Sequence, residues 1–189
     1  MDFHTVKRQK WSEIENKALK SIRKERANFS IEYFYRPSFR ICPTCIQIFK
    51  KPENYLCYKI IWHEDIDKQR FIDLIAESTI ENYLQRVNTT ALENWLQPKI
   101  NDFKLASFEP TIELIKYQIE EIAYQNIYNK LEKLQLPVIA SFESGCDGTS
   151  YIFSIKKAFF GSHEYCWWGN LPEEWKDLQD VINEINTLV

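Results

Sequence analysis

The stretch Phe29–Trp62, FSIEYFYRPSFRICPTCIQIFKKPENYLCYKIIW, decides the fold. β-Branched and aromatic residues dominate it. Pro37 interrupts it once and Lys50-Lys51-Pro52-Glu53-Asn54 a second time, so it reads as three strands, the last two joined as a hairpin. Amphipathic helices are expected on either side. Before the stretch, Trp11, Ile14, Ala18 and Ile22 recur at spacings of three and four, marking a helix over 6–27 with Lys10, Lys17, Lys20 and Lys24 on its opposite side. After it, Phe71, Ile75, Tyr83 and Val87 continue the helical spacing behind the N-cap candidates Asp65 and Asp67. Thr90-x-x-Glu93 has the form of a capping box for a short helix ending before Pro98.

The second half repeats this order. Pro110 suits a first helical turn, and Ile112, Ile115, Ile119, Ile122, Ile127, Leu131 and Leu134 predict one long helix ending at Pro137. Three strands are then expected in PVIASF, TSYIFSI and EYCWW. Leu171-Pro172-Glu173-Glu174 opens a final helix whose stripe is Trp175, Leu178, Ile182, Ile185 and Val189. The prediction is a single α+β domain over 1–189, a predominantly antiparallel sheet flanked by helices. Its halves, 1–88 and 106–189, read as a degenerate duplication of a helix–three-strand–helix unit. The alternative is two independent α–β stretches sharing one common order.

Composition narrows the function classes. The chain has 189 residues, 44% of them hydrophobic and 15% aromatic, enough for a substantial core. A net charge of −3 gives no overall attraction to nucleic acid or to a membrane surface. The N-terminal sequence MDFHTVKRQKW lacks the apolar core of a signal peptide, and no apolar run is long enough to span a bilayer. With five cysteines, an odd and sparse number, the expectation is a cytoplasmic protein with reduced thiols. All four glycines fall between Gly145 and Gly169. Phosphate-cradling loops need glycine elsewhere and in other patterns, so Walker A and G-x-G-x-x-G sites are excluded.

Cys42-Pro43-Thr44-Cys45 has a C-x-x-C form. Strong zinc patterns pair two such motifs; here the further ligands would have to be Cys57 and His63, about 20 Å apart along one strand at ~3.3 Å per residue. Redox chemistry would need the motif at a helix N-terminus, whereas Ile-Gln-Ile-Phe follows Cys45. Structural thiols beside the start of a strand are the better expectation, with no metal and no cofactor. Acid–base work by Asp147 and His163, near the glycines, is the enzymatic or small-molecule-binding alternative. Its competitor places Asp147-Gly148 in a hairpin turn and His163 on a second turn. Neither H-E-x-x-H nor G-x-S-x-G occurs.

The surface is more informative. Glu173, Asp177, Asp180 and Glu184 fall within about 60° of one another at ~100° per residue, opposite the apolar stripe of the last helix. Phe160, Tyr165 and Trp168 belong to an aromatic-rich segment, and alternation sends Trp167 and Trp168 to opposite faces of their strand. These seven residues are the expected partner-binding set. Asp147-Gly148-Thr149-Ser150-Tyr151, with Tyr165-Cys166-Trp167-Trp168 and Pro172-x-x-Trp175-x-x-Leu178, resembles a C-terminal pattern of small cytoplasmic bacterial proteins of the toxin-immunity kind. The resemblance implies a non-catalytic immunity protein that binds and neutralises a cognate protein toxin. It transfers no residue roles, because immunity surfaces differ from pair to pair.

Overall fold

The computed structural model describes residues 3–24, 31–37, 42–87, 107–137, 148–157 and 161–189. The fold is α+β, as expected. Among the described residues its sheet has six strands: β1 (Ile31–Arg36), β2 (Thr44–Lys50), β3 (Tyr55–Trp62), β4 (Ile112–Ile119), β5 (Ser150–Lys157) and β6 (Gly161–Trp168). Their order is β4-β3-β2-β1-β5-β6. Every pairing from β3 through β6 is antiparallel. The helices are α1 (Phe3–Ile22), α2 (Glu64–Val87), α3 (Glu121–Lys133) and α4 (Leu178–Thr187). No helix among the described residues is long and apolar enough to cross a membrane.

The chain divides into two compact units, residues 1–21 with 62–112 and residues 22–61 with 113–189. In the first, Ile14, Phe71, Ile75 and Phe108 form a buried cluster edged by Trp11 and Leu74. Trp11 stacks on Trp62 with ring centroids 6.1 Å apart and tilts against Phe71 at 5.5 Å. Asp67 lies in the first turn of α2 rather than at its cap, and it is fully buried. Its carboxylate accepts from Trp62 Nε1, the Thr111 amide and hydroxyl, and Arg70 at 2.7–2.8 Å. A buried carboxylate is tolerated when its lone pairs are met in this way.

The second unit contains most of the sheet. Lys51 N–H donates to Asn54 C=O at 2.8 Å and closes the β2–β3 hairpin at the predicted place. One sheet face carries Ile31, Tyr33, Ile46, Ile48, Cys57 and Phe153, packed with Tyr124, Ile127 and Leu131 of α3 and Leu178, Val181, Ile182 and Ile185 of α4. Each fully buried large apolar side chain of this kind contributes ~1.5–3 kcal/mol. The final helix keeps its predicted apolar stripe, although a 3₁₀ turn over Glu173–Trp175 precedes it.

Three expectations are corrected. The long helix from Pro110 is β4 followed by the shorter α3. Ile112, Ile115 and Ile119 fit spacings of three and four, but Glu113, Ile115, Tyr117 and Ile119 also alternate, and the β-rich segment follows that period of two. Ile122, assigned to the core stripe, is 71% exposed, while Tyr124 takes the buried position. His163 lies within β6 rather than on a turn. The capping box at Thr90 and the strand over 137–142 lie outside the described residues, apart from Pro137, whose carbonyl accepts a hydrogen bond from Trp175 Nε1 at 3.0 Å.

Candidate functional site

The C-x-x-C motif resolves into strand structure. Thr44 begins β2 and its hydroxyl donates to the Cys42 carbonyl at 2.9 Å. Cys45 is the second residue of β2, opposite Phe34 of β1 and Ile60 of β3. Cys57 is opposite Ile48. Strand alternation therefore sends Cys45 and Cys57 to opposite faces of the sheet, and the proposed Cys42, Cys45, Cys57 zinc set does not assemble. Burial pushes the Cys57 thiol up to about 12. Burial, reinforced by the Glu32 carboxylate, raises Cys45 well above the usual thiol range. Both are protonated, poor nucleophiles.

Glu32 belongs to a polar row absent from the sequence reading. Gln47, Glu32, Ser154 and Glu164 stand in register across β2, β1, β5 and β6. Arg23, just beyond α1, donates from Nε to Glu32 at 3.0 Å and from its second terminal nitrogen to Glu164 at 2.9 Å. Gln47 Nε2 donates to the other Glu32 oxygen at 2.9 Å. Ser154 donates to Glu164 at 3.2 Å, and the Cys166 thiol donates to its second oxygen at 3.5 Å. Partial burial acts to raise the Glu164 carboxyl, but the hydrogen bond and charge of Arg23 outweigh it and hold the group below its ordinary value. Glu32 is 2% exposed, so Arg23 is the charge partner that makes its burial tolerable. β-Branched and aromatic content identifies these strands, and their register reveals the row.

The predicted contact residues divide between two surfaces. Glu173 is exposed in the 3₁₀ turn and pairs with Lys176 at 2.9 Å. Asp177 occupies the N-cap position of α4 and makes no side-chain cap; it and Asp180 are exposed. Glu184 is less exposed and pairs with Lys130 of α3. Tyr165 lies on the helix-covered face and meets Trp175 edge-on at 5.3 Å. Trp175 is buried within the turn that carries Glu173, so its contact with Tyr165 joins β6 to the acidic segment.

Trp168 is on the other face. Trp167 is buried against Tyr151, at 5.0 Å and 10°, whereas Trp168 is partly exposed and packs over Gly148. Phe160 and Asp147 lie outside the described residues. His163 is exposed on the sheet's terminal strand, opposite Ile155. No family model matches the chain, and no curated protein or solved structure matches it.

Proposed function

We propose that this chain is a non-catalytic protein-binding module, most concretely an immunity protein that binds and neutralises a cognate bacterial toxin in the cytoplasm. The observation that carries the reading is the Tyr165–Trp175 contact, which joins the terminal strand β6 to the acidic segment of Glu173, Asp177 and Asp180. A rigid aromatic bordered by the exposed carboxylates of Asp177 and Asp180 is the composition of an interface anchor with an electrostatically attractive rim. A basic partner fits it, such as a toxin domain whose own substrate is anionic. The inert buried thiols favour a structural role for the cysteines, and the C-terminal sequence resemblance points the same way.

The test is co-expression with the product of the adjacent gene, followed by size-exclusion chromatography and a growth-protection assay. A stable heterodimer and rescue of toxin-expressing cells are expected. Asp177→Lys with Asp180→Lys is expected to weaken the complex by about tenfold or more, in the range for charge pairs at interfaces. Absence of both complex and protection overturns the immunity reading.

A further inference from the structure

At the end of the sheet away from β6 stands β4, which among the described residues pairs on one side only, with β3. Its sequence, IELIKYQI, is rich in apolar residues for a strand in that position. The orientation of its backbone follows from its entry. His63, the first residue after β3, donates its N–H to the Thr111 carbonyl at 2.9 Å, so the backbone of Thr111 faces the β3 side. Alternation then turns the N–H and C=O groups of Glu113, Ile115, Tyr117 and Ile119 toward β3. Those of Ile112, Leu114, Lys116 and Gln118 point away from it, along the outer edge.

The side chains divide by face. Ile119 and Tyr117 pack with the core under α3 and α4, and alternation places Leu114, Lys116 and Gln118 on the other face. Lys116 and Gln118 are exposed there, and so is Leu114, at 45%. An exposed leucine on a strand that also presents a row of outward N–H and C=O groups is suited to receive another strand.

The residues of β4 complement their own copy. Two identical strands pair antiparallel about a two-fold axis, and because opposite residues share a face, the axis passes through a residue that meets itself. At Lys116 the axis would bring two ammonium groups together, and at Glu113 two carboxylates. At Leu114 it would align only residues 112–116 of the strand. At Ile115 it aligns 112–118, sets Ile115 against Ile115, Leu114 against Lys116 and Glu113 against Tyr117, and no like charges meet. Going beyond the binding-module reading and independent of it, we propose that β4 pairs antiparallel with β4 of a second copy about an axis at Ile115, joining two sheets into one. The outward groups of Ile112, Leu114, Lys116 and Gln118 then form about eight interstrand hydrogen bonds. Leu114 lies along the alkyl stem of Lys116 of the second copy. The dimer is weak and reversible, since a single strand pair buries less than a standard interface.

The probe is the full chain alone, followed by sedimentation velocity from about 1 µM to about 500 µM. The parent is expected to pass from monomer to dimer across that range. Because Leu114 stands opposite Lys116 of the second copy, Leu114→Glu creates two opposite-charge pairs and Leu114→Lys two like-charge pairs. Leu114→Glu is expected to dimerise at least ~5-fold more tightly than Leu114→Lys, the scale of two such cross-strand pairs. Adding Lys116→Glu to Leu114→Lys restores opposite charges and should restore the dimer. This rescue also separates a lost contact from a lost fold, which circular dichroism checks for each variant.

A chain that stays monomeric to the highest concentration, or a dimer unmoved by the Leu114 variants, overturns the pairing. Equal weakening by Leu114→Glu and Leu114→Lys without rescue by Lys116→Glu overturns it as well, because the residues opposite Leu114 are then not those of the Ile115 axis. A monomer whose complex with a toxin is lost in Leu114→Lys assigns the edge to the toxin and rejects self-pairing. The growth-protection test of the immunity reading uses a different partner and a different readout, so either proposal can fail alone.

Discussion

At the scale of single residues, Arg23 decides the fate of two carboxylates. Glu164 has its carboxyl held below the ordinary glutamate value of 4.5. A depressed folded-state pKa contributes stability that is whole above the unfolded value and is lost as pH falls through the folded one. Denaturant midpoints are therefore expected to fall as pH drops below about 4.5, and Glu164→Gln should flatten this acid limb. Glu164→Gln with an unchanged limb would show that Arg23 serves Glu32 alone. The thiols give a second expectation. During alkylation at pH 8 followed by peptide mass mapping, exposed Cys166 should be modified before buried Cys45 and Cys57. Those two should react only after denaturation. Cys166 itself should react slowly, because burial and the adjacent Glu164 raise its pKa.

At the scale of elements, α3 offers a direct check on where the helix begins and which face it buries. Ile127 is buried in the core of the second unit, and Ile122 is open to solvent. Ile127→Ala is expected to cost about 2–4 kcal/mol by urea unfolding, and Ile122→Ala to fall within about 0.5 kcal/mol of the parent. Equal costs would restore the single long helix. Gly148 is the tight point of the approach to β5, since a Cβ built there would meet Trp168 Nε1 at 2.6 Å. Gly148→Ala is expected to cost about 1–3 kcal/mol as an overpacking substitution and to alter tryptophan fluorescence as the indole moves.

The same elements show what periodicity can and cannot reveal. α4 was legible because its apolar residues keep one helical period, and Tyr55–Trp62 because a β-branched and aromatic run follows the turn residues at 50–54. Ile112–Ile119 was misread because Ile112, Ile115 and Ile119 satisfy the helical spacing while Ile115, Tyr117 and Ile119 satisfy the alternation, and the tie is broken by strand pairing, a long-range interaction. The acidic residues of α4 were legible on a helical wheel, but the lysine opposite Glu184 comes from another helix. The polar row could not be read along the chain, because it joins residues of different strands at one level of the sheet.

At the scale of the whole molecule, a net charge of −3 conceals an uneven surface. Asp177 and Asp180 remain exposed while Glu173 and Glu184 have lysine partners. If the acidic segment steers a basic partner, the association rate should fall steeply between low and physiological salt, with the dissociation rate changing less. Stopped-flow measurements on the heterodimer check this, and the Asp177→Lys, Asp180→Lys variant should show a nearly salt-independent rate. A rate unaffected by salt in the parent would leave apolar contacts as the source of recognition.

The row of Gln47, Glu32, Ser154 and Glu164 has a consequence for how the sheet finds its pairing. A one-residue slip of any strand would turn its apolar side chains to the wrong face, and hydrophobicity alone forbids it. A two-residue slip keeps every side chain on its own face, so burial barely distinguishes it from the native alignment. Here such a slip would set Glu32 beside Cys45 or Phe49 in place of Gln47. It would separate the carboxylate from its amide donor and leave a buried charge short of hydrogen bonds. The polar row thus acts as a key that admits one alignment among several that the apolar residues would accept.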